Sequence, residues 1–326
     1  MNRSTQTLFI LLALVLFLFG SGAAQELKKE RRVMTWVPPY AVDACRERLD
    51  QSFDGVGMKD GLTHLGLQFW HPTKDGGLKL VQRFKVIDES TILNFQKWGE
   101  THGVRTMLCV YNGTPEGWDW ELAKSAFDTQ RERFVEALVS ETVRLKLDGV
   151  DVDFEGKGKR EGDRKAFIQF IKELSKRLHA EGKELTIDTF AYKWNAPNKG
   201  WWAELLPHID GLHVMGYSET GVGAADWRSY DFIKAAAGDH SSKLLLGVAS
   251  NAAEWQNKPA REHLAWIQAD ASVGVAIWDV RLKAAEWRKK EMWQAVANIK
   301  GSAEVATDQP AAGDGGGVKK DSLGTE

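Results

Sequence analysis

The segment Asp148-Gly149-Val150-Asp151-Val152-Asp153-Phe154-Glu155 sets carboxyls at a period of two. In an extended strand Asp151, Asp153 and Glu155 share one face, and Val150, Val152 and Phe154 share the other. Asp148 falls on the apolar parity and takes no part. Alternate residues on one face have backbones roughly 6.5 to 7 Å apart, close enough for their side chains to share a proton. Sharing raises the pKa of one member. Glu155, the outermost, is expected to stay protonated near neutral pH and to act as a general acid. Asp153 is then its partner, and Asp151 a deeper charge that biases both. Three carboxylates also suit magnesium or calcium, but barrel metal sites draw ligands from several strands, so no metal is expected.

Such a row needs a frame that turns one strand face inward. Apolar runs recur at Met34 to Val37, His64 to Trp70, Arg105 to Tyr111, Gly149 to Glu155, Glu184 to Phe190, Gly211 to Tyr217, Lys243 to Ala249 and Gly274 to Trp278. Helical spacing lies between them, clearest in Phe134, Val135, Leu138, Val139 and Thr142, and in Phe167, Ile171, Leu174 and Leu178 with Asp163 as cap. Strand and helix alternating eight times predict an α/β fold, a single-domain (β/α)8 TIM barrel with its chemistry at the C-terminal strand ends. An open doubly wound sheet is disfavoured, because Trp36-Val37-Pro38-Pro39-Tyr40 stands where a Gly-rich phosphate loop would follow the first strand.

Residues 1–24, with Arg3, the apolar Leu8 to Phe19 and a small-residue stretch to Ala24, read as a signal peptide cleaved before Gln25. Export to the periplasm or medium is expected, an uncleaved N-terminal anchor being the alternative. Residues 25–300 form the barrel and 301–326, rich in glycine, a disordered tail. With 43 basic against 45 acidic residues and no basic block beyond Lys28 to Arg32, nucleic acid is not an expected partner. A monomer without a stable membrane partner is expected. Cys45 and Cys109 leave one disulfide open. Neither zinc-ligand spacing nor a Gly-x-Ser-x-Gly elbow occurs, and no cofactor is expected.

Residues 148–155 match throughout the Asp-x-x-Asp-x-Asp-x-Glu signature of glycoside hydrolase family 18, which the chain resembles from about Val33 to Val280. Met215-Gly216-Tyr217 resembles the family's Met-x-Tyr on strand six, and Trp278 its sugar-flooring tryptophan on strand eight. The resemblance implies a retaining hydrolase of N-acetylglucosamine-containing glycans in which the substrate's acetamido oxygen attacks the anomeric carbon. It implies Glu155 as acid, Asp153 and Tyr217 as holders of the acetamido group, and Trp278 and Met215 as substrate contacts. Tyr111 and Trp194, with Trp36, Phe69 and Tyr192, are further aromatic candidates near strand ends. His213 is expected as a satisfied interior histidine, and Asp188 is left open. Two departures stand out: Ser218-Glu219 follows the Met-x-Tyr, and Val110-Tyr111-Asn112-Gly113 replaces a Ser-x-Gly-Gly. The short connection between strands seven and eight excludes an α+β insertion and predicts an open, shallow cleft. Chitin, the N-glycan core and cell-wall polymers remain alternative substrates, and a lectin is the non-catalytic reading.

Overall fold

The computed structural model describes residues 30–84, 87–190, 200–215, 217, 228–252, 254–255 and 258–301. The expected leader, the tail beyond Gly301, Tyr192 and Trp194 lie outside the described residues. Eight strands form a parallel ring: β1 Val33–Val37, β2 His64–Pro72, β3 Arg105–Tyr111, β4 Gly149–Asp153, β5 Glu184–Thr189, β6 Gly211–Val214, β7 Leu244–Ala249 and β8 Gly274–Trp278. The ring closes because β1 pairs with both β2 (Met34 opposite His64) and β8 (Val33 opposite Val275). A helix follows each strand: α1 Val42–Leu49, α2 Glu89–His102, α3 Arg131–Arg144, α4 Arg164–Ala180, α5 Trp202–Leu205, α6 Arg228–Ala237, α7 Ala260–Ala269 and α8 Lys290–Lys300. This is the (β/α)8 barrel that the alternation predicts.

The core sits mainly between strands and helices. Val150, Val152 and Phe154 point outward into it, and the Phe154 ring stacks on Phe134 of α3 at 6.2 Å and Phe170 of α4 at 6.4 Å. α3 buries the five residues its spacing singles out, and α4 buries Phe167, Ile171, Leu174 and Leu178. Asp163 occupies the cap position of α4 without capping it. Its carboxylate instead accepts from Trp120 Nε1 (2.9 Å) and pairs with Lys124 (2.7 Å), partners from the short helix Trp120–Lys124 that no local pattern reveals.

Inside the ring, Met34, Trp36, Met107, Cys109, Leu245 and Ala276 make a separate apolar layer. Cys109 belongs to this inner layer and Cys45 of α1 to the outer core, so both are free thiols and the disulfide left open by the sequence does not form. At the N-terminal end of the barrel, Glu184 binds Arg32 (2.7 Å), His64 (2.9 Å) and Arg105. Nearby the buried Arg31 guanidinium donates to the carbonyls of Ile267, Gln268, Asp270 and Val273. Arg31 and Arg32 are thus structural.

Two features shape the C-terminal mouth. β2 runs past the barrel and folds back on Leu78–Leu80, pairing Trp70 with Leu80 and His71 with Lys79. Between β7 and β8, among the described residues, the chain forms α7 and the short ribbon Glu254–Trp255 with Lys258–Pro259, without an α+β insertion. Among the described residues, no helix is long and apolar enough to cross a membrane.

Candidate active site

Strand parity delivers the three carboxyls at rising depth: Asp151 is fully buried, Asp153 nearly so, and Glu155 half-buried. Asp148 lies apart, accepting from Thr106 N at 2.7 Å. Asp151 accepts from Trp36 Nε1 (2.8 Å) and Thr186 Oγ1 (2.6 Å) and lies 3.3 Å from His213 Nδ1. Burial alone would raise the Asp151 pKa, but His213 and these donors outweigh it and hold the carboxyl low. His213 lies 2.7 Å from Asp188 as well, and the two carboxylates overcome desolvation to push the imidazole up to about 9. His213 is therefore an interior cation, satisfied as the sequence reading expects, and Asp188 is its second partner.

Four mutually interacting carboxyls, of Asp151, Asp153, Glu155 and Asp188, thus share the barrel interior with one imidazolium, which Asp151 and Asp188 contact. One positive charge cannot offset four negative ones in a desolvated space, so protons stay on the others. Asp188 is raised well above the ordinary carboxyl range by burial, with Asp151 adding. Asp153 is pushed up to about 7, by burial first and by the Asp151 charge, while a hydrogen bond from Gln68 Nε2 (2.8 Å) opposes the rise. Burial raises Glu155 well above its usual value, and Asp153 and Asp188 raise it further. Two overlapping triads, Cys109 with Asp153 and Asp188, and Asp151 with Asp188 and His213, bring ligand atoms within 4.8 Å. With the imidazole protonated, His213 Nδ1 donates to Asp188, and that nitrogen is engaged by the carboxyl.

The ladder of β4 ends at Asp153, two residues earlier than the sequence predicts. Beyond it the buried Asn112 side chain takes the place of a neighbouring strand: Oδ1 accepts from Glu155 N (2.9 Å) and Nδ2 donates to Glu155 O (2.7 Å). The departure at Asn112 is thus what anchors the Glu155 backbone. Asn112→Ala removes both bonds and frees the Glu155 backbone to wander; kcat should fall about 10- to 100-fold with KM changing less. Steady-state kinetics decide it, and a KM-only effect would assign Asn112 to substrate binding instead.

A cavity of about 870 Å³ opens above these groups, lined by Asp153, Glu155, Asp188, Met215, Tyr217 and Trp278. Tyr111 lines it too, opposite Asp153 in the β3–β4 register. Tyr217 and Trp278 are half-buried, and the Trp278–Asp279 peptide is cis. Burial raises the Tyr217 hydroxyl well above its usual value, with Asp188 and Asp153 adding, so it stays a neutral donor. Of the remaining aromatic candidates, Trp36 and Phe69 are buried core, and Trp194 lies outside the described residues. Sequence reasoning missed Gln68, Asn112 and the exposed rim of Tyr40, Phe84 and Trp118. Gln68 had a signal, a lone amide between Leu67 and Phe69 at inward parity; the rim had none. The cleft is lined by the β2 ribbon and by the Gly113–Thr114/Gly117–Trp118 ribbon, neither of which alternates strongly enough to be read.

The family model described as glycosyl hydrolases family 18 matches residues 40–309. Among solved structures, a chitinase from Chromobacterium violaceum superposes with a TM-score of 0.63 at 18% identity, covering 82% of this chain and 98% of its own. The Group IV chitinase of Ostrinia furnacalis, bound to allosamidin, gives 0.63 at 14% identity over 84% and 100%. The Bacillus cereus spore cortex-lytic enzyme SleL gives 0.61 at 12% over 85% and 77%. No curated protein matches by sequence. The structural likenesses establish the shared fold, and the family match over most of the chain establishes the rest: this chain belongs to glycosyl hydrolases family 18 and is a glycoside hydrolase.

Proposed function

We propose that the protein cleaves β-1,4 linkages of chitin or chito-oligosaccharides with retention, using the substrate's acetamido oxygen as nucleophile. The observation carrying this reading is Asp153, whose Oδ2 accepts from Gln68 while its buried Oδ1 meets no donor among the described residues except the Glu155 carboxyl, beside which it lines the cavity. A buried acceptor left open costs about 1–3 kcal/mol, and a substrate N–H would recover it. Asp153 shares a strand with Glu155 rather than facing it across the sugar, so it suits orientation of an acetamido group better than nucleophilic attack.

In the reaction, Asp153 accepts the acetamido N–H and Tyr217 donates to its carbonyl, directing that oxygen at the anomeric carbon. Glu155 gives its proton to the glycosidic oxygen as the carbon–oxygen bond breaks and an oxazolinium ring forms. Water then adds to the anomeric carbon, its proton returns to Glu155, and the ring opens. Trp278 stacks beneath the sugar, with Met215 beside it. The ion pair of Asp151 and His213 fixes the charge below.

The pH profile follows from the shared proton. Because burial raises Asp153 to about 7 and Glu155 well above its usual range, the pair keeps a proton through neutral pH and loses it on the alkaline side. The rate should therefore fall as pH rises through the upper apparent pKa. A kcat/KM profile measures this, and an alkaline limb at the ordinary carboxyl pKa would contradict it.

Product analysis tests the function. Incubation with chito-oligosaccharides should give shortened β-anomeric products by NMR, and a thiazoline analogue of the oxazolinium should inhibit. Release of N-glycans with one N-acetylglucosamine left on the protein would make it an endo-β-N-acetylglucosaminidase. Binding without any cleavage would point to a lectin. We place this action outside the cytoplasm on the strength of the Leu8 to Phe19 run; N-terminal sequencing of exported protein should begin at Gln25, and retention of Met1 would mean an anchor.

A further inference from the structure

The cavity above Glu155 carries two cations that the proposed reaction does not use. Lys79 and Arg83 both line it, and both are exposed. Their place relative to the acid can be traced along the sheet. Tyr111 lies opposite Asp153, the His71 ring packs edge-on against Tyr111 at 4.3 Å, and Lys79 lies opposite His71 in the β2 ribbon. The ammonium is near enough to His71 that, after burial, it is the next cause holding that imidazole down to about 4. Arg83 continues the same wall, its guanidinium 5.0 Å from the centre of the Phe84 ring, which itself meets Tyr40 at 5.6 Å.

Some cations on this surface are matched by neighbouring carboxylates, as Arg133 is by Asp75 and Arg144 by Glu89 and Glu141; what sets Lys79 and Arg83 apart is that both line the cavity that holds Glu155. Neither Lys79 nor Arg83 has a carboxylate at ion-pair distance among the described residues. His71 Nε2 beside them is buried and has no hydrogen-bond partner among the described residues. The chain as a whole carries a formal charge of −2, so this is a local arrangement rather than part of a basic surface. A neutral chito-oligosaccharide would leave all three groups unused. Resting on the reading of the site as a hydrolase of N-acetylglucosamine-containing glycans, we propose that this wall selects glycans bearing a carboxylate on a sugar next to the cleaved linkage. Arg83 can present a forked pair of donors to that carboxylate, Lys79 a point charge, and His71 Nε2 a further polar contact. The lactyl ether of an N-acetylmuramic acid unit has the required chemistry.

The test separates binding from turnover. In the Glu155→Gln background, affinities are measured by calorimetry for chitotetraose, for the tetrasaccharide alternating N-acetylglucosamine and N-acetylmuramic acid, and for the latter with its carboxyls reduced to alcohols. The carboxylated sugar should bind about tenfold more tightly than chitotetraose at low ionic strength, as expected for two partly screened charge contacts, and lose that margin as salt is raised. Reduction of the carboxyls should abolish the preference, and Lys79→Ala with Arg83→Ala should lower the ratio of the two affinities to near one. Equal affinities in the parent, or a preference that survives reduction or the double substitution, would overturn the proposal. Failure of the wild type to cleave any of these sugars would count against the hydrolytic reading instead, since the affinity comparison needs no turnover.

Discussion

Glu155→Gln should lower kcat about 10³- to 10⁴-fold, the span that loss of a positioned general acid commands. That corresponds to ~4–5.5 kcal/mol of barrier. The substitution is nearly isosteric. It is also nearly silent electrostatically, because burial and the neighbouring Asp153 and Asp188 already keep the Glu155 carboxyl protonated, and glutamine is neutral as well. The hydrogen bonds from Asn112 engage only the backbone of residue 155 and survive the change. What disappears is the transferable proton. Substrate affinity measured by calorimetry should therefore stay within a few-fold of wild type while turnover is lost. Turnover close to wild type would remove Glu155 from the role of acid, and a matching loss of affinity would show that the substitution disturbs the cleft.

Arg31→Ala should cost about 3–5 kcal/mol of stability, the largest structural effect expected of a single side chain outside the hydrophobic core. The guanidinium is 5% exposed, and its donors reach Val273 O (2.7 Å), Ile267 O (2.7 Å), Asp270 O (2.8 Å) and Gln268 O (3.2 Å). Three of these carbonyls end α7, where the helix leaves acceptors unpaired and its dipole favours positive charge. Truncation orphans them together, in a place water reaches poorly. Urea unfolding at constant m-value checks the figure. A loss below about 1 kcal/mol would mean that solvent replaces the guanidinium, making Arg31 a surface residue in energetic terms.

Much of the barrel was legible because alternation in β4 and helical spacing in α3 and α4 are local patterns that burial enforces directly. The placement of Asp151, Asp153 and Glu155 on one inward face followed from parity alone. What stayed hidden depends on partners far along the chain. Asn112 anchors Glu155 from 43 residues away, and Gln68 reaches Asp153 across 85. Nothing near Asp163 announces that Trp120 and Lys124 claim its carboxylate in preference to the helix it precedes. The charge of His213 was equally illegible, since it arises only when β4 and β5 bring Asp151 and Asp188 to one ring. The ribbon wall escaped notice because strands of two or three residues carry no periodicity to read.

The seam between β1 and β8 bears on the order in which the molecule can assemble. Thr35 Oγ1 donates to Ile277 O at 2.8 Å across 242 residues of sequence, and Arg31 reaches Val273 over the same span. At a ribosomal pace of about 5–20 residues per second, the first strand waits on the order of ten seconds or more for its last neighbour to be made. Until then its edge is unpaired and the ring is an open sheet. The ring therefore closes only after synthesis of β8, and for the whole of that interval β1 keeps one row of backbone donors and acceptors without its native partner.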